Sequence, residues 1–427
     1  MRTLKYGSRG PDVKKVQAVL NKIGYDVGAV DGVFGSKTEE EVKRFQRNFG
    51  LYPDGIIGTK TWSILQKYYR GYDNYKIRYG DTLYKIAEAY YSDVDAILTA
   101  NPGLNPFNLK VGMEIKVPYM IDIVDTNVDY TYNILESDIE GLKGLYPFLQ
   151  VTTEGKSVLN KNLYTIKIGD GPNKVFYNGS HHALEWITTP VLMKFIEEFS
   201  RAYATGTKIN GYDPKEIWDK STIYIMPMVN PDGIELVLNG LSRSNPYYND
   251  LIKWNKGSTD FSRNWSANNR GVDLNHNYDA SWQKSKDMEA AYGVTGPGPR
   301  RYSGPAPESE PETKAVVEFT KKILPELVLA YHSQGEVIYW NYLNMATERM
   351  KKIGEELAKA SGYSLAETYG SASYAGYKDW VIEKYMKPGY TVEVGLGLNP
   401  LPISQFDKIY EDNLGLLLEA ATITTKM

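Results

Sequence analysis

The sequence predicts a multidomain chain: an α/β domain with a mixed central sheet, preceded by a three-helix module and a βααβ module. Three observations predict it. The chain has 427 residues, more than one compact core normally holds, so two or three domains are expected. Two short segments before Pro118 each carry a closed pattern of apolar stripes and turns. After about residue 125, helical stripes alternate with short apolar runs, which is how helices packed on a sheet look in sequence.

Composition narrows the function. The net charge is −3, so there is no basic footprint of the kind that binds nucleic acid. There is no cysteine, which excludes disulfides, thiolate metal sites and thiol nucleophiles. No stretch reaches the roughly 18 consecutive apolar residues of a membrane span. Met1-Arg2-Thr3-Leu4-Lys5 lacks the apolar core of a signal peptide.

Residues 1–68 are expected to form three short helices. Pro11 opens a helical pattern, as proline does at a first helical position, with Val13, Val16, Val19 and Leu20 on one face; Gly24 ends it. A local repeat follows, Asp31-Gly32-Val33-Phe34-Gly35-Ser36-Lys37-Thr38 and Asp54-Gly55-Ile56-Ile57-Gly58-Thr59-Lys60-Thr61. Each copy is a glycine turn leading into a helix start with a Ser or Thr cap. Val42, Phe45 and Phe49 carry a helical stripe between the copies. The segment resembles the peptidoglycan-binding domain type 1, three helices joined by D-G-x-x-G turns. That resemblance implies binding by the module as a whole; the named residues are core and turn residues.

Residues 69–74 are expected to be a polar linker. The second module spans 75–118. Tyr75-Lys76-Ile77-Arg78 alternates like a strand, and Gly80-Asp81-Thr82 caps a helix carrying Leu83, Ile86 and Ala87. Residues 94–100 form a second helix, Asn101-Pro102-Gly103-Leu104-Asn105-Pro106 a loop, and 111–118 a turn and closing strand. The βααβ order, the G-D-T turn, the N-P loop and the ending Leu109 to Pro118 resemble a LysM domain. LysM domains bind N-acetylglucosamine-containing glycans in a groove between two loops. The resemblance implies glycan contacts from Gly80, Asp81 and Thr82 on one side and Ile97, Leu98, Asn101 and Pro102 on the other. Gly80 and Thr82 are equally what a strand-to-helix turn requires.

The third segment, 125–427, follows a lead-in at 121–124. Residues 142–149 are helical in pattern, 156–168 alternate as a hairpin, and 174–177 form a buried strand. A helix over 185–199 presents Ile187, Val191, Leu192, Phe195 and Ile196 on one face. Strands are expected at 223–226, 326–331 and 390–394, with helices at 311–324 and 348–361.

Chemistry concentrates at the ends of three of these strands. The chain has four histidines. His182 and Glu185 stand three residues apart, just after the apolar run Val175-Phe176-Tyr177. His332 closes the run 327–331, and Glu393 follows Tyr390-Thr391-Val392. A His and a carboxylate at that spacing can share one cation. Zinc accepts imidazole nitrogen and carboxylate oxygen, and a catalytic zinc takes three protein ligands and leaves a position for water. A lone H-x-x-E is a weak signal. Polar groups at the carboxyl ends of separate strands are stronger, because ligands bind at that edge of open α/β sheets.

Five ordered motifs then resemble the carboxypeptidase A type of zinc peptidase. They are His182, Glu185 and Trp186 as H-x-x-E-W; Asn230-Pro231-Asp232-Gly233; Gly271-Val272-Asp273-Leu274-Asn275-His276-Asn277; His332-Ser333; and Asp379-Trp380 followed by Glu393. The resemblance implies one zinc ion per chain, held by His182, Glu185 and His332. It implies that Asp273 orients His182, in the way carboxylates orient ligand imidazoles, and that Glu393 is the general base.

Two departures bear on specificity. The family's W-R-K-N is Trp265-Ser266-Ala267-Asn268 here, so the arginine that stabilises the oxyanion is replaced by Ser266, and Arg263 and Arg270 are the candidates to substitute for it. The family's N-R pair, whose arginine clamps a substrate carboxylate, is Asn275-His276; an imidazole does not reproduce a guanidinium fork. Counting back from Glu393, the family's lid tyrosine falls at Ser371 with Tyr369 and Tyr374 nearby, and Tyr374 is the candidate.

Two wall-binding modules ahead of a zinc peptidase resemble the γ-D-glutamyl-L-diamino acid endopeptidases of spore-forming bacteria. The resemblance implies bacterial peptidoglycan as partner, with glycan at the LysM module and stem peptide at the zinc. It implies cleavage between D-glutamate and diaminopimelate, outside the cell, at the wall or in a sporulating-cell compartment. Two alternatives stay open: a carboxypeptidase trimming the same stem, and a wall-binding protein with an inactive peptidase domain.

Overall fold

Two buried glutamines organise the N-terminal helices. The computed structural model describes residues 2–368 and 374–426. Helices Pro11–Lys22, Ser36–Asn48 and Thr59–Arg70 pack through Val13, Val16, Leu20, Val42, Phe45 and Leu65. Gln17 Oε1 accepts from Gly32 N at 2.8 Å, and its Nε2 donates to Asp31 and to Val33 O. Gln46 repeats this one turn later, accepting from Gly55 N at 2.9 Å and donating to Asp54 and Ile56 O. Each D-G turn is thus satisfied by a side chain from the preceding helix, as buried backbone groups require. The expected Ser or Thr caps are not formed. The N-cap residues are Gly35 and Gly58 with no side-chain cap hydrogen bond, while Thr38 and Thr61 lie within hydrogen-bonding distance of the glutamines.

The stretch expected as a linker is ordered. The third helix runs to Arg70, Gly71 ends it at φ 74°, and strand β1 (Tyr72–Lys76) begins at once. Its polar residues mislead because β1 pairs antiparallel with β2 (Glu114–Pro118), so Tyr72 faces inward and is buried. Between them lie helices Leu83–Tyr90 and Val94–Ala100, capped by the side chains of Thr82 and Asp93. Ile77, Leu83, Ile86, Ile97, Ile115 and Val117 form their core.

The helix expected at 142–149 is instead Tyr132–Leu145. It ends where Tyr146 precedes Pro147, a position that disfavours helical backbone. Residues 133–149 belong with 1–128 and 203–205 to a first compact unit. Close approach explains this: a Cβ at Gly144 would lie 2.2 Å from the Tyr72 ring.

The second unit is built on an eight-stranded mixed sheet. Its strands are β3 (Gln150–Lys156), β4 (Asn162–Ile168), β5 (Asn173–Gly179), β6 (Ser221–Met226), β7 (Leu327–His332), β8 (Val337–Tyr339), β9 (Ser364–Ala366) and β10 (Gly389–Glu393). Their order is β3-β4-β6-β5-β7-β10-β8-β9. The central pairs β6/β5, β5/β7 and β7/β10 are parallel. Their apolar runs are buried on both faces, as central parallel strands are. Helix Pro311–Ile323 supplies Val316, Val317 and Phe319 to a core that also holds Phe176, Val328 and Trp380. The helix expected at 185–199 begins later, at Thr188, and runs to Thr205. Glu185 belongs instead to a single 3₁₀ turn, Ala183–Glu185. No helix among the described residues is long and apolar enough to cross a membrane.

Candidate metal centre

Three parallel strands end together. β5 stops at Gly179, His332 is the last residue of β7, and Glu393, the last residue of β10, is its partner in register. After β5 the chain turns through Ser180, in left-handed backbone at φ 58°, and the 3₁₀ turn brings Glu185 back beside His182. Long-range bonds brace the turn. Ser180 Oγ lies 2.9 Å from Thr188 Oγ1, Ala183 N donates to Ser266 O, and buried Asn230 donates to His181 O at 3.0 Å. The N-P-D-G motif therefore shapes the loop that carries His182 and Glu185.

His182, Glu185 and His332 offer ligand atoms that all lie within 4.8 Å of one another. Both imidazoles turn Nδ1 towards one carboxylate: His182 Nδ1 is 2.8 Å from Glu185 Oε1, and His332 Nδ1 is 2.8 Å from Oε2. On the far side, His182 Nε2 is 3.0 Å from Asp273 Oδ1. Burial alone would raise the Glu185 carboxyl, but the two histidine charges and hydrogen bonds outweigh it and bring it down to about 2. Burial also opposes ionisation of Asp273, yet His182, His276 and the Arg301 N–H hold its carboxyl below the usual range. One imidazole between two carboxylates, and two Nδ1 atoms on one carboxylate, call for positive charge at this point. Two imidazoles and a carboxylate are a donor set that suits zinc.

Glu393 lies partly buried beside this group. Burial and the Glu185 charge push its carboxyl well above its ordinary value. A dication held by the three ligands acts in the opposite direction.

The other two histidines have different surroundings. His181 is buried with Nε2 2.8 Å from the Tyr278 hydroxyl, and burial holds its imidazole well below the usual pKa, so it is neutral. His276 Nδ1 is 3.1 Å from Ser285 Oγ; burial lowers its pKa, Asp273 opposes, and the charge of Arg301 adds to the lowering.

Several expected site residues are engaged elsewhere. Arg270 is tied to Glu310 Oε2 at 2.8 Å and to Ser309 O, so it braces the 309–310 segment instead of standing in for the missing arginine. Arg263 is exposed on the turn before Trp265. Asn275 Oδ1 accepts from Tyr377 N at 3.0 Å. Tyr374 is half-buried against the core, with Lys284 Nζ 5.6 Å from its ring centroid. Ser371 and Tyr369 lie outside the described residues.

The LysM residues divide in the same way. Ile97 is fully buried, so its side chain belongs to the core and not to a groove. Asn101 spends its amide on Ile97 O, Lys116 O and Lys116 N, which latches the loop to β2. Asp81 accepts from Tyr75 OH and Arg78 N, and Thr82 caps a helix. Gly80 and Pro102 are exposed and Leu98 is half-buried. Sequence reasoning missed the exposed rings beside them, Tyr79 at 95% and Phe107 at 98% exposure. An aromatic residue exposed in a loop was the available signal.

Residues 135–415 match the zinc carboxypeptidase family. The chain belongs to that family. Residues 9–65 match a peptidoglycan binding domain, and 75–118 match the LysM domain. The chain is 41% identical to gamma-D-glutamyl-L-diamino acid endopeptidase 1 of Lysinibacillus sphaericus, across 80% of this chain and 98% of that protein. It is 28% identical to mast cell carboxypeptidase A of Mus musculus, across 56% of each. Among solved structures, bovine thrombin-activatable fibrinolysis inhibitor superposes with a TM-score of 0.54 at 21% identity, over 70% of this chain and 97% of that one, a likeness of fold. This zinc carboxypeptidase family member is therefore a zinc metallopeptidase that carries wall-binding domains.

Proposed function

We propose that the enzyme is a peptidoglycan hydrolase that cuts the amide between D-glutamate and diaminopimelate in stem peptides. The observation that carries this reading is the coincidence in one chain of two wall-binding domains with the His182, Glu185, His332 and Glu393 arrangement. The L. sphaericus relative, whose name states that activity, supports it. Loss of the family's two substrate arginines, at Ser266 and His276, supports a substrate other than an ordinary protein C-terminus.

The residues have separable roles. His182, Glu185 and His332 hold the metal, and Asp273 keeps His182 turned so that Nδ1 faces it. Zinc, when bound, supplies a Lewis acid for the scissile carbonyl and acidifies the attacking water. Glu393 accepts the proton of that water and returns it to the leaving amine of diaminopimelate. The LysM and peptidoglycan-binding modules keep the site on insoluble wall, raising the local substrate concentration.

Mass spectrometry of muropeptides after digestion tests the reading. New amino-terminal diaminopimelate with loss of L-Ala-D-Glu is expected. Release of only a terminal residue would favour the carboxypeptidase alternative, and no change in zinc-loaded enzyme would favour an inactive domain.

A further inference from the structure

The segment 298–302 is laced between Ser266, where one of the family's arginines is missing, and Asp273, three residues before His276, where the other is missing. Pro299 O accepts from Ser266 N at 2.8 Å and from Ala267 N at 3.1 Å, and Gly298 N donates to Gly271 O. On the other side, Arg301 N donates to Asp273 Oδ2 at 2.8 Å and Asp273 N to Tyr302 O at 2.8 Å. Arg301 is therefore one residue contact, through Asp273, from His182. Its backbone is left-handed at φ 64°, a conformation that a long side chain adopts only when its surroundings impose it.

The side chain is poised as well. The Arg301 guanidinium lies over the Tyr292 ring, 4.3 Å from its centroid. Stacking occupies the face of the guanidinium and leaves its in-plane N–H fork for a planar anion. Among the described residues no carboxylate pairs with it, whereas Arg270 is already consumed by Glu310. The Arg301 charge also reaches His276, the residue at the family's carboxylate-clamp position.

We propose that Arg301 is a specificity-determining residue that binds a carboxylate of the diamino acid on the leaving side of the scissile bond. This rests on the substrate reading above. Diaminopimelate carries two carboxylates, one at the centre that supplies the leaving amine and one at the far end. A guanidinium fork suits either, through two parallel charge-assisted hydrogen bonds.

Steady-state kinetics on three peptides test this: L-Ala-γ-D-Glu-diaminopimelate, its near-end carboxamide, and the analogue with lysine in place of diaminopimelate. Arg301→Gln is expected to lower kcat/KM on the first peptide by about 10–100-fold, mainly through KM, the size expected for a lost charge-assisted pair. Zinc content should not change, and Arg301→Lys should recover part of the loss. The loss should vanish on one analogue, and which one identifies the carboxylate: the carboxamide for the near end, the lysine peptide for the far end. Arg300→Gln, in the same loop, should behave as wild type. An equal loss on all three peptides, no loss on any, or the same loss in Arg300→Gln would overturn the proposal. Wild-type enzyme that leaves the first peptide uncut at this bond would remove the substrate reading and this proposal with it. Normal cutting with an unchanged substrate ratio in Arg301→Gln removes the proposal alone.

Discussion

Glu393 and His332 are partners in register at the ends of two parallel strands, and Val394 N donates to His332 O at 2.9 Å. The backbone of the sheet therefore sets the distance between the proposed base and a proposed ligand, which is more exact than a loop could be. The two substitutions at this pair should separate metal binding from chemistry. Glu393→Gln should keep zinc and lose about 10²–10⁴-fold in kcat, the usual contribution of general acid–base catalysis. His332→Ala should lose zinc and turnover together. Metal analysis beside stem-peptide kinetics checks both, and wild-type rates in Glu393→Gln would refute the base assignment.

Asp273 joins two segments, since Oδ1 faces His182 Nε2 and Oδ2 accepts from Arg301 N. Asp273→Asn keeps the shape but loses the charge that supports the imidazole. Zinc affinity should fall by about 10–100-fold, as for other partners of ligand histidines. Chelator competition measures it, and an unchanged affinity would show that the contact does not tune the site.

Tyr79 and Phe107 stand almost fully exposed in the two loops of the LysM module. Flat apolar rings of this kind are suited to stacking on sugar faces. Replacing both with alanine should weaken retention on insoluble peptidoglycan while hydrolysis of a soluble stem peptide stays at wild-type rates. Point substitution is preferable to removing residues 1–120, because residues 133–149 pack in the same compact unit as the front modules. Undiminished wall retention would mean that the glycan is held elsewhere.

Burial pushes the Glu312 carboxyl up to about 8, with the Asp232 and Glu310 charges adding to the rise and the Val158 N–H opposing it. The folded chain therefore keeps a proton that the unfolded chain releases above the ordinary carboxyl value of 4.5. The resulting stability is fully present below that value and is lost as pH rises through about 8. Thermal midpoints should fall between pH 6 and pH 9, and Glu312→Gln should flatten that fall. An identical pH slope in the variant would count against a proton held at this position.

Much of the candidate site was legible in the sequence because its signals are local. A His and a Glu three residues apart, and polar residues ending apolar runs, depend on turn geometry and strand alternation acting over a few positions. These marked His182, Glu185, His332 and Glu393 and the α/β class. The D-G repeats likewise marked two turns.

What the tertiary structure decided is which partner each side chain finds across long stretches of chain. Gln17 and Gln46, ordinary surface residue types, became the braces of those turns because helix packing left the Gly32 and Gly55 N–H groups needing acceptors. Ile97 went to the core, since helical spacing alone does not say which neighbour an apolar residue will meet. Tyr72 and Asp73 joined a strand whose partner lies more than forty residues later in sequence. Arg270 and Arg301 have the same chemistry in the sequence. A buried carboxylate at Glu310 captured the first, while a backbone bond to Asp273 set the second one contact from His182. Local sequence determines what a residue can do; burial and long-range pairing, which depend on the whole chain, determine where it does it.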